Sequence, residues 1–344
     1  MPDSFDAVVV GGGLLGTATA YHLVGAGART LLVDRMDTGR ATDAGAGILS
    51  PETNSRDTDV WFNLAVAAVE YYPALIERLR GEQGGDTGYA RCGQLVVAVS
   101  DDEIAPFERA KGLVFERQRR RGRPSTDDLR EVSSAEARGL VVRQGGVDRL
   151  IRDGDSVTGV VIGGEIVSAG SVAIAGGAWS EAFGAQLGVS IPVAPQRGQI
   201  IHLGLHGTDT GRWPVISAFH HHYLVAWPDS RVVAGATRET GSGFAPHTTA
   251  AGVRDVLSEA LRVAPGLASA EIREIRVGLR PFAADTLPVL GPVPGVRGVF
   301  LVTGHGPSGL TLGPYSAKNI AAQMLGKAPE MDLTPYSIAR FTSA

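Results

Sequence analysis

Three glycine-rich stretches hold the residue types and spacings that can do chemistry in this chain. The first, Gly11-x-Gly13-x-x-Gly16, follows the apolar run Ala7–Val10 and precedes Thr17–Leu23, a segment of helical character. In such a strand–turn–helix setting the first glycine permits the tight turn and the second lets a pyrophosphate approach the backbone. The third lets helix and strand pack closely, with the helix N-terminus facing the phosphates. A second apolar run, Thr30–Val33, ends at Asp34, about where the ribose-binding acid of such a unit belongs. The pattern reads as a dinucleotide site and does not choose between dinucleotides; glycine turns also simply join strands to helices. The second stretch, Gly176-Gly177-Ala178-Trp179-Ser180, closes the buried-strand run Ser171–Ala175 and suits a nucleotide lying across it. The third, Gly304 to Gly309, follows Val299–Thr303 and opens a helix reaching Met324. An electron-accepting ring near that helix N-terminus is stabilised in its reduced, anionic form.

These turns need elements to hold them. The loop Thr38–Pro51 has almost no side-chain bulk, which admits close approach of backbone to a flat ligand. Apolar residues from Trp61 to Leu79 recur at helical spacing. Gly93–Val99 reads as a strand, and Asp102–Arg121 as a helix whose basic end, Arg117–Arg123, is expected to be solvated and to complement the helix dipole. Ser133–Glu136 resembles a capped helix start. Val147–Arg152 and Val157–Ile162 flank Asp153-Gly154-Asp155, a hairpin signal. From Ile191 to Ala236 the chain alternates as antiparallel strands, a helix spans Thr249–Val263, and a strand Ile275–Pro281 ends on Arg280. Asp285–Pro292 is turn-rich. Placed on a strand, His220, His221 and His222 would point to alternate faces, and no Asp or Glu follows at ligand spacing, so no metal is expected.

With 344 residues, 44% of them hydrophobic, the chain can bury more than one core. A formal net charge of −4 gives no reason to expect nucleic acid or an anionic membrane as partner. The single cysteine, Cys92, excludes an internal disulfide and fits a reducing compartment. The acidic start, Met1–Asp6, leads straight into a strand, which reads as no signal peptide and a cytoplasmic location; no apolar run is long enough to span a bilayer.

Taken in order, the first glycine turn with Asp34, the loop Thr42–Pro51, Ala175–Ser180, Gly278-Leu279-Arg280-Pro281 and Gly304-His305-Gly306 resemble the FAD-dependent D-amino-acid oxidase family, in its glycine oxidase and D-amino-acid dehydrogenase branch. The resemblance covers nearly the whole chain. It implies an α/β, two-domain fold: a Rossmann-like FAD domain from residues 1–85, 136–190 and 276–344, and an antiparallel-sheet substrate domain from 86–135 and 191–275. Gly11, Gly13, Leu14, Leu15 and Gly16 would receive the pyrophosphate end, and Asp34, in place of the usual glutamate, with Arg35 the adenosine ribose. Thr42, Asp43, Ala46, Gly47 and Ile48 would line the flavin, and Val147 would meet the adenine. Gly176, Gly177, Trp179, Gly304, His305, Gly306, Pro307, Ser308, Gly309, Leu310 and Thr311 complete the cofactor set. Cys92 is not where related amine oxidases attach flavin, which implies noncovalent FAD.

By the same resemblance Arg280 clamps the substrate carboxylate, as its two parallel donors can, and Tyr223 closes over it. His221, His305 and Pro307 would border the substrate. Hydride would leave Cα of a small amino acid for flavin N5, and water would hydrolyse the imine. O2 would accept the electrons as peroxide; the protein is expected to be soluble and possible as an oligomer. Three departures stand out. Pro307 occupies the neighbourhood where glycine oxidases carry a second arginine. Arg238 stands where the family has an apolar wall residue, which suggests a second anionic group on the substrate. A few dozen residues are short between Leu140 and Val141, read as chain absent from this sequence, since losing a core helix would exceed a domain's stability margin. The alternatives are an oxidase cleaving an N-carboxymethyl secondary amine with a second carboxylate to glyoxylate and a primary amine, and a quinone-linked D-amino-acid dehydrogenase. A NAD-dependent dehydrogenase would rest on the first turn alone, and a non-catalytic flavin module would leave Arg280 and Tyr223 without use.

Overall fold

The apolar run at the start of the chain forms β1 (Ser4–Val10), which has a parallel neighbour on each side: β2 (Thr30–Asp34) and β7 (Glu165–Ile174). Its apolar residues are consecutive rather than alternating because both faces of the sheet are covered. On one face lie α1 (Leu14–Gly25), α2 (Asp59–Gln83) and α6 (Gly309–Met324), sharing a core with Val9, Leu32 and Val302. The other face packs Val8, Val10 and Leu31 against the hairpin β5 (Val147–Asp153) and β6 (Ser156–Ile162) and against Phe183, Leu187 and Ile191. The sheet is completed by β4 (Val141–Gln144) beyond β2, and by β15 (Val299–Thr303) and β14 (Val289–Pro292) beyond β7, eight strands in all. The computed structural model describes residues 4–54, 58–83, 87–90, 94–98, 101–121 and 140–341.

A second sheet of seven strands carries the other half of the site. It contains β3 (Gln94–Val97), β8 (Val193–Gly204), β9 (Val215–Ala218), β10 (Tyr223–Trp227), β11 (Arg231–Gly235), β12 (Glu239–Thr240) and β13 (Glu271–Ala283). All pairings are antiparallel except β3 with β9. The helix α5 (Ala250–Val263), capped by Thr249, packs Val256 and Ala260 on this sheet. Two further helices, α3 (Ile104–Arg121) and α4 (Gly184–Leu187), lie outside both sheets. The division expected at residue 276 falls inside β13, which stays paired with β8 from Glu271 to Ala283.

The hairpin, the long helices and most strands fall where the sequence places them, with three local differences. Val289–Pro292, read as part of a turn-rich segment, is a strand. Arg117 is not solvated. It is buried, donates through Nη1 to the carbonyls of Glu52 and Asn54 at 2.8 Å each, and its guanidinium lies 4.2 Å from the Phe62 ring centre. His220 and His221 are not strand residues: they form the β9–β10 turn with φ of 64° and 66°. His220 reaches two acids distant in sequence, with Nδ1 3.2 Å from Glu259 Oε1 and Nε2 3.9 Å from Glu103 Oε1. Among the described residues no cluster of His, Cys, Asp and Glu is arranged to hold a metal, and no helix is long and apolar enough to cross a membrane. Cys92, Ser133–Glu136 and the last two residues of the basic run, 122–123, lie outside the described residues, as does the chain leading up to Leu140. Just past it, Val141 and Val142 on the edge strand β4 are exposed.

Candidate active site

The turn between β1 and α1 leaves no room for side chains. Gly11 has φ +101°, and a Cβ there would stand 2.7 Å from the Ala175 carbonyl oxygen; one on Gly16 would stand 1.7 Å from that of Gly11. The second glycine stretch is thus pressed against the first, and Thr303 Oγ1, donating to Gly177 O at 2.9 Å, ties it to the third. Helix α1 begins at Gly13 with no side-chain cap and no acid in its first turn, while Leu14 N donates to Thr42 Oγ1 at 2.9 Å. Asp34 lies over Gly12 and accepts Arg40 Nη1 on Oδ2 at 2.8 Å. Arg40 also holds both oxygens of Asp43, at 3.0 and 3.1 Å. Arg35 pairs with the exposed Asp37. A bond of 2.7 Å from Gly145 N to Asp34 O brings the start of β5, Val147, beside this end.

From the α1 N-terminus a solvent-connected cavity of about 160 Å³ extends to the second sheet. Leu14, Leu15, Thr42, Ala46, Gly47 and Ile48 line it from one side, and His305, Gly306, Pro307, Gly309 and Leu310 from another. Tyr223, Arg238, Arg280 and His221 line it from the second sheet. Gly11, Gly13, Gly16, Asp34, Arg35, Asp43, Val147, Gly176, Gly177, Trp179, Gly304, Ser308 and Thr311 stand behind or beyond that lining. Thr311 Oγ1 donates to Ile48 O at 3.1 Å, which locks the small-residue loop to α6. Trp179 packs its ring 5.5 Å from that of Phe244. Burial pushes His305 down to about 3, so the ring is neutral; its Nε2 is 3.1 Å from Ser316 Oγ.

Arg280 projects from β13 over Gly198 of the neighbouring β8: a Cβ on Gly198 would collide with the guanidinium at 2.2 Å. Gly235 clears Tyr223 in the same way, 2.7 Å from its ring end. Arg280 Nη1 donates to Thr237 O at 2.9 Å. Thr237 is itself held, its hydroxyl donating to Glu239 Oε1 at 2.8 Å and accepting Gln199 N at 2.9 Å. Glu239 receives Gln199 Nε2 and Arg197 Nη2, each at 2.6 Å. Burial lowers the pKa of Arg280, the Arg238 charge lowers it further, and Tyr223 and Glu239 pull it up. Arg238 makes no hydrogen bond or ion pair with any described residue, and no carboxylate lines the cavity. Sequence reasoning missed the roles of Gly198, Gly235, Arg197, Gln199 and Glu239. A glycine inside a strand is the one signal that was available, since it marks close approach of another group.

Comparison with known proteins places this architecture. A model of the FAD dependent oxidoreductase family, DAO, matches residues 6–133 and 129–323. The chain is 32% identical to a glycine oxidase of Pseudomonas aeruginosa, over 96% of this chain and 98% of that one. An uncharacterized oxidoreductase of Bacillus subtilis is 36% identical, over 96% and 98%. Among solved structures, an iminodiacetate oxidase from a Chelativorans species superposes with a TM-score of 0.91 at 34% identity, over 96% of this chain and 98% of that one. The glycine oxidase of Geobacillus kaustophilus gives 0.86 at 26%, over 98% and 99%. The chain belongs to the FAD dependent oxidoreductase family and is an FAD-dependent enzyme. The two family matches overlap at residues 129–133.

The residues present fit that cofactor. Two helix N-termini, of α1 and α6, open without side-chain caps or acids and can take anionic groups. Asp34 gives only Oδ2 to Arg40, which leaves Oδ1 for a ribose hydroxyl. The cavity wall between them is made of small and apolar residues suited to a flat ring.

Proposed function

We propose that the enzyme oxidises a small N-carboxymethyl amine carrying a second carboxylate, of the iminodiacetate kind. One observation carries the reading: Arg280 and Arg238 line the same cavity, and no acid there neutralises either of them. A substrate with one carboxylate matches one guanidinium; a dicarboxylate matches both. The likeness to an iminodiacetate oxidase supports the same assignment.

In this reading Arg280, fixed by Thr237, holds the glycine-like carboxylate by two parallel N–H donors, and Tyr223 covers it. Arg238 receives the second carboxylate from the open side. Bound FAD supplies the two-electron acceptor, so that amine, water and O2 become glyoxylate, a primary amine and hydrogen peroxide. His305, neutral and buried, keeps a charge-free wall beside the reacting carbon. No side chain in the cavity is placed as a carboxylate base, and none is needed when the amine enters neutral. Gly11, Gly13 and the α1 N-terminus hold the cofactor phosphates and Asp34 the ribose.

Peroxide release from glycine, sarcosine, D-alanine and iminodiacetate tests this. Iminodiacetate is expected to give the highest kcat/KM. Arg238→Ala should lower it by about tenfold to a hundredfold for iminodiacetate, as loss of one charged contact does, and change sarcosine by less than about threefold. An equal effect on both substrates, or preference for glycine, overturns the reading.

A further inference from the structure

A second cavity, about 280 Å³ and open to solvent, adjoins the first and shares His221, Ala236 and Arg238 with it. We infer that this outer cavity is a subsite for the second arm of the substrate, and that it takes an arm longer than acetate ending in a carboxylate. The inference rests on the dicarboxylate reading and extends it from charge to length.

Arg238 is on the wall common to both cavities, exposed, and without a protein partner among the described residues. Its guanidinium can therefore meet an anion from either side. Two acids also border the outer cavity, yet neither offers an uncompensated charge. Glu239 accepts Arg197, Gln199 and Thr237, and Asp255 pairs with Arg254 at 2.8 Å. His221 and His222 have pKa values lowered first by burial, so they are neutral near pH 7 and offer hydrogen bonds without charge; His220 faces Glu259. Among the described residues at the outer cavity, the one unbalanced charge is that of Arg238, which selects an anionic arm over a cationic one. The remaining wall, Thr249, Ala251 and Gly252 at the start of α5, is small and leaves the space open.

The test uses the holoenzyme and a graded set of N-substituted glycines: sarcosine, iminodiacetate, N-carboxymethyl-β-alanine, N-carboxymethyl-4-aminobutyrate and the ω-amine counterpart of the last, N-carboxymethyl-1,3-diaminopropane. The two longer diacids are expected to match or exceed iminodiacetate in kcat/KM, and the ω-amine to fall at least tenfold below them. Ala251→Trp, at an exposed position bordering only the outer cavity, is expected to lower kcat/KM for the longer diacids at least tenfold and to leave sarcosine and iminodiacetate within about threefold. Flavin absorbance and the melting temperature of the variant verify that it folds and holds FAD. Iminodiacetate turned over in an Arg238-dependent way while longer diacids are rejected overturns the subsite and keeps the dicarboxylate reading. No discrimination between sarcosine and iminodiacetate overturns that reading itself. An equal loss for all substrates in Ala251→Trp, or no loss for any, also overturns the subsite.

Discussion

The two ends of the cavity are built from different materials. At the nucleotide end, backbone does the work: glycines at φ +101° and in sub-contact packing, uncapped helix N-termini and one short acid. At the substrate end, side chains do it: two guanidiniums, a tyrosine and a buried polar network, brought together by strands far apart in sequence. At the first end the tight contacts are backbone on backbone, which no rotamer relieves; at the second they are with side-chain ends at Gly198 and Gly235, and charge is decisive. That contrast can be broken by mutation from either side.

The largest effect is expected at the backbone end. Gly16→Ala places a methyl group 1.7 Å from the Gly11 carbonyl oxygen, and no rotamer relieves a Cβ clash. Overpacking of this kind costs at least about 1–3 kcal/mol and here forces β1 and α1 apart. The variant should purify with little or no FAD and a melting temperature well below that of the parent. A variant that retains full flavin absorbance would show that the turn is more pliable than its packing implies.

At the other end, Arg280→Ala should fold and hold FAD but lose about 10²- to 10³-fold in kcat/KM, as removal of one member of a buried charged pair does. Arg280→Lys should recover little, because a single ammonium does not reproduce two parallel donors. The next step outward is Glu239. It touches no substrate, yet it holds Thr237, whose carbonyl fixes Arg280. Glu239→Gln removes the charge that Arg197 binds at 2.6 Å and should raise KM for carboxylate substrates about tenfold with kcat within twofold, equivalent to ~1.4 kcal/mol of binding. A purely structural role would lower FAD content and melting temperature and leave KM of the intact fraction unchanged.

The same contrast explains what the sequence made legible. Gly11, Gly13 and Gly16 lie within one turn, and their function depends on neighbours a few residues away, so type and spacing suffice. That Ala7–Val10 forms a buried strand was legible too, because consecutive apolar residues report a strand covered on both faces; which strands flank it was not. Arg280 and Tyr223 could be read only through resemblance to a family. Gly198 looked like any strand glycine, since the guanidinium it makes room for belongs to a different part of the chain. Glu239 and Arg197 escaped notice because their meaning lies in each other. Arg117 misled for a similar reason: its position on a helix end predicts solvent, while the carbonyls of Glu52 and Asn54 and the Phe62 ring supply a buried seat. The turn histidines differ from strand residues because φ values of 64° and 66° at His220 and His221 reverse the chain there.

The smallest effect concerns acid stability, and it separates the ends once more. His202, in the second sheet, is lowered to about 4 by burial and by Arg276 and Arg231, and His305, at the cavity, is lowered to about 3 by burial, both from an ordinary 6.5. Each ring is neutral in the folded chain, whereas in the unfolded chain it takes a proton as pH falls below 6.5. The unfolded state then binds more protons, so stability is full above that pH and declines below it, by up to about 1.4 kcal/mol per pH unit for each group. Melting temperature should therefore fall steadily from pH 6.5 toward 4. His202→Gln, which touches neither the cavity nor the cofactor end, should make that fall shallower while leaving peroxide release at neutral pH unchanged. If the slope is the same in His202→Gln and the parent, His202 does not drive the decline, and the acid sensitivity resides with the other lowered histidines, His221, His222 and His305, all at the cavities.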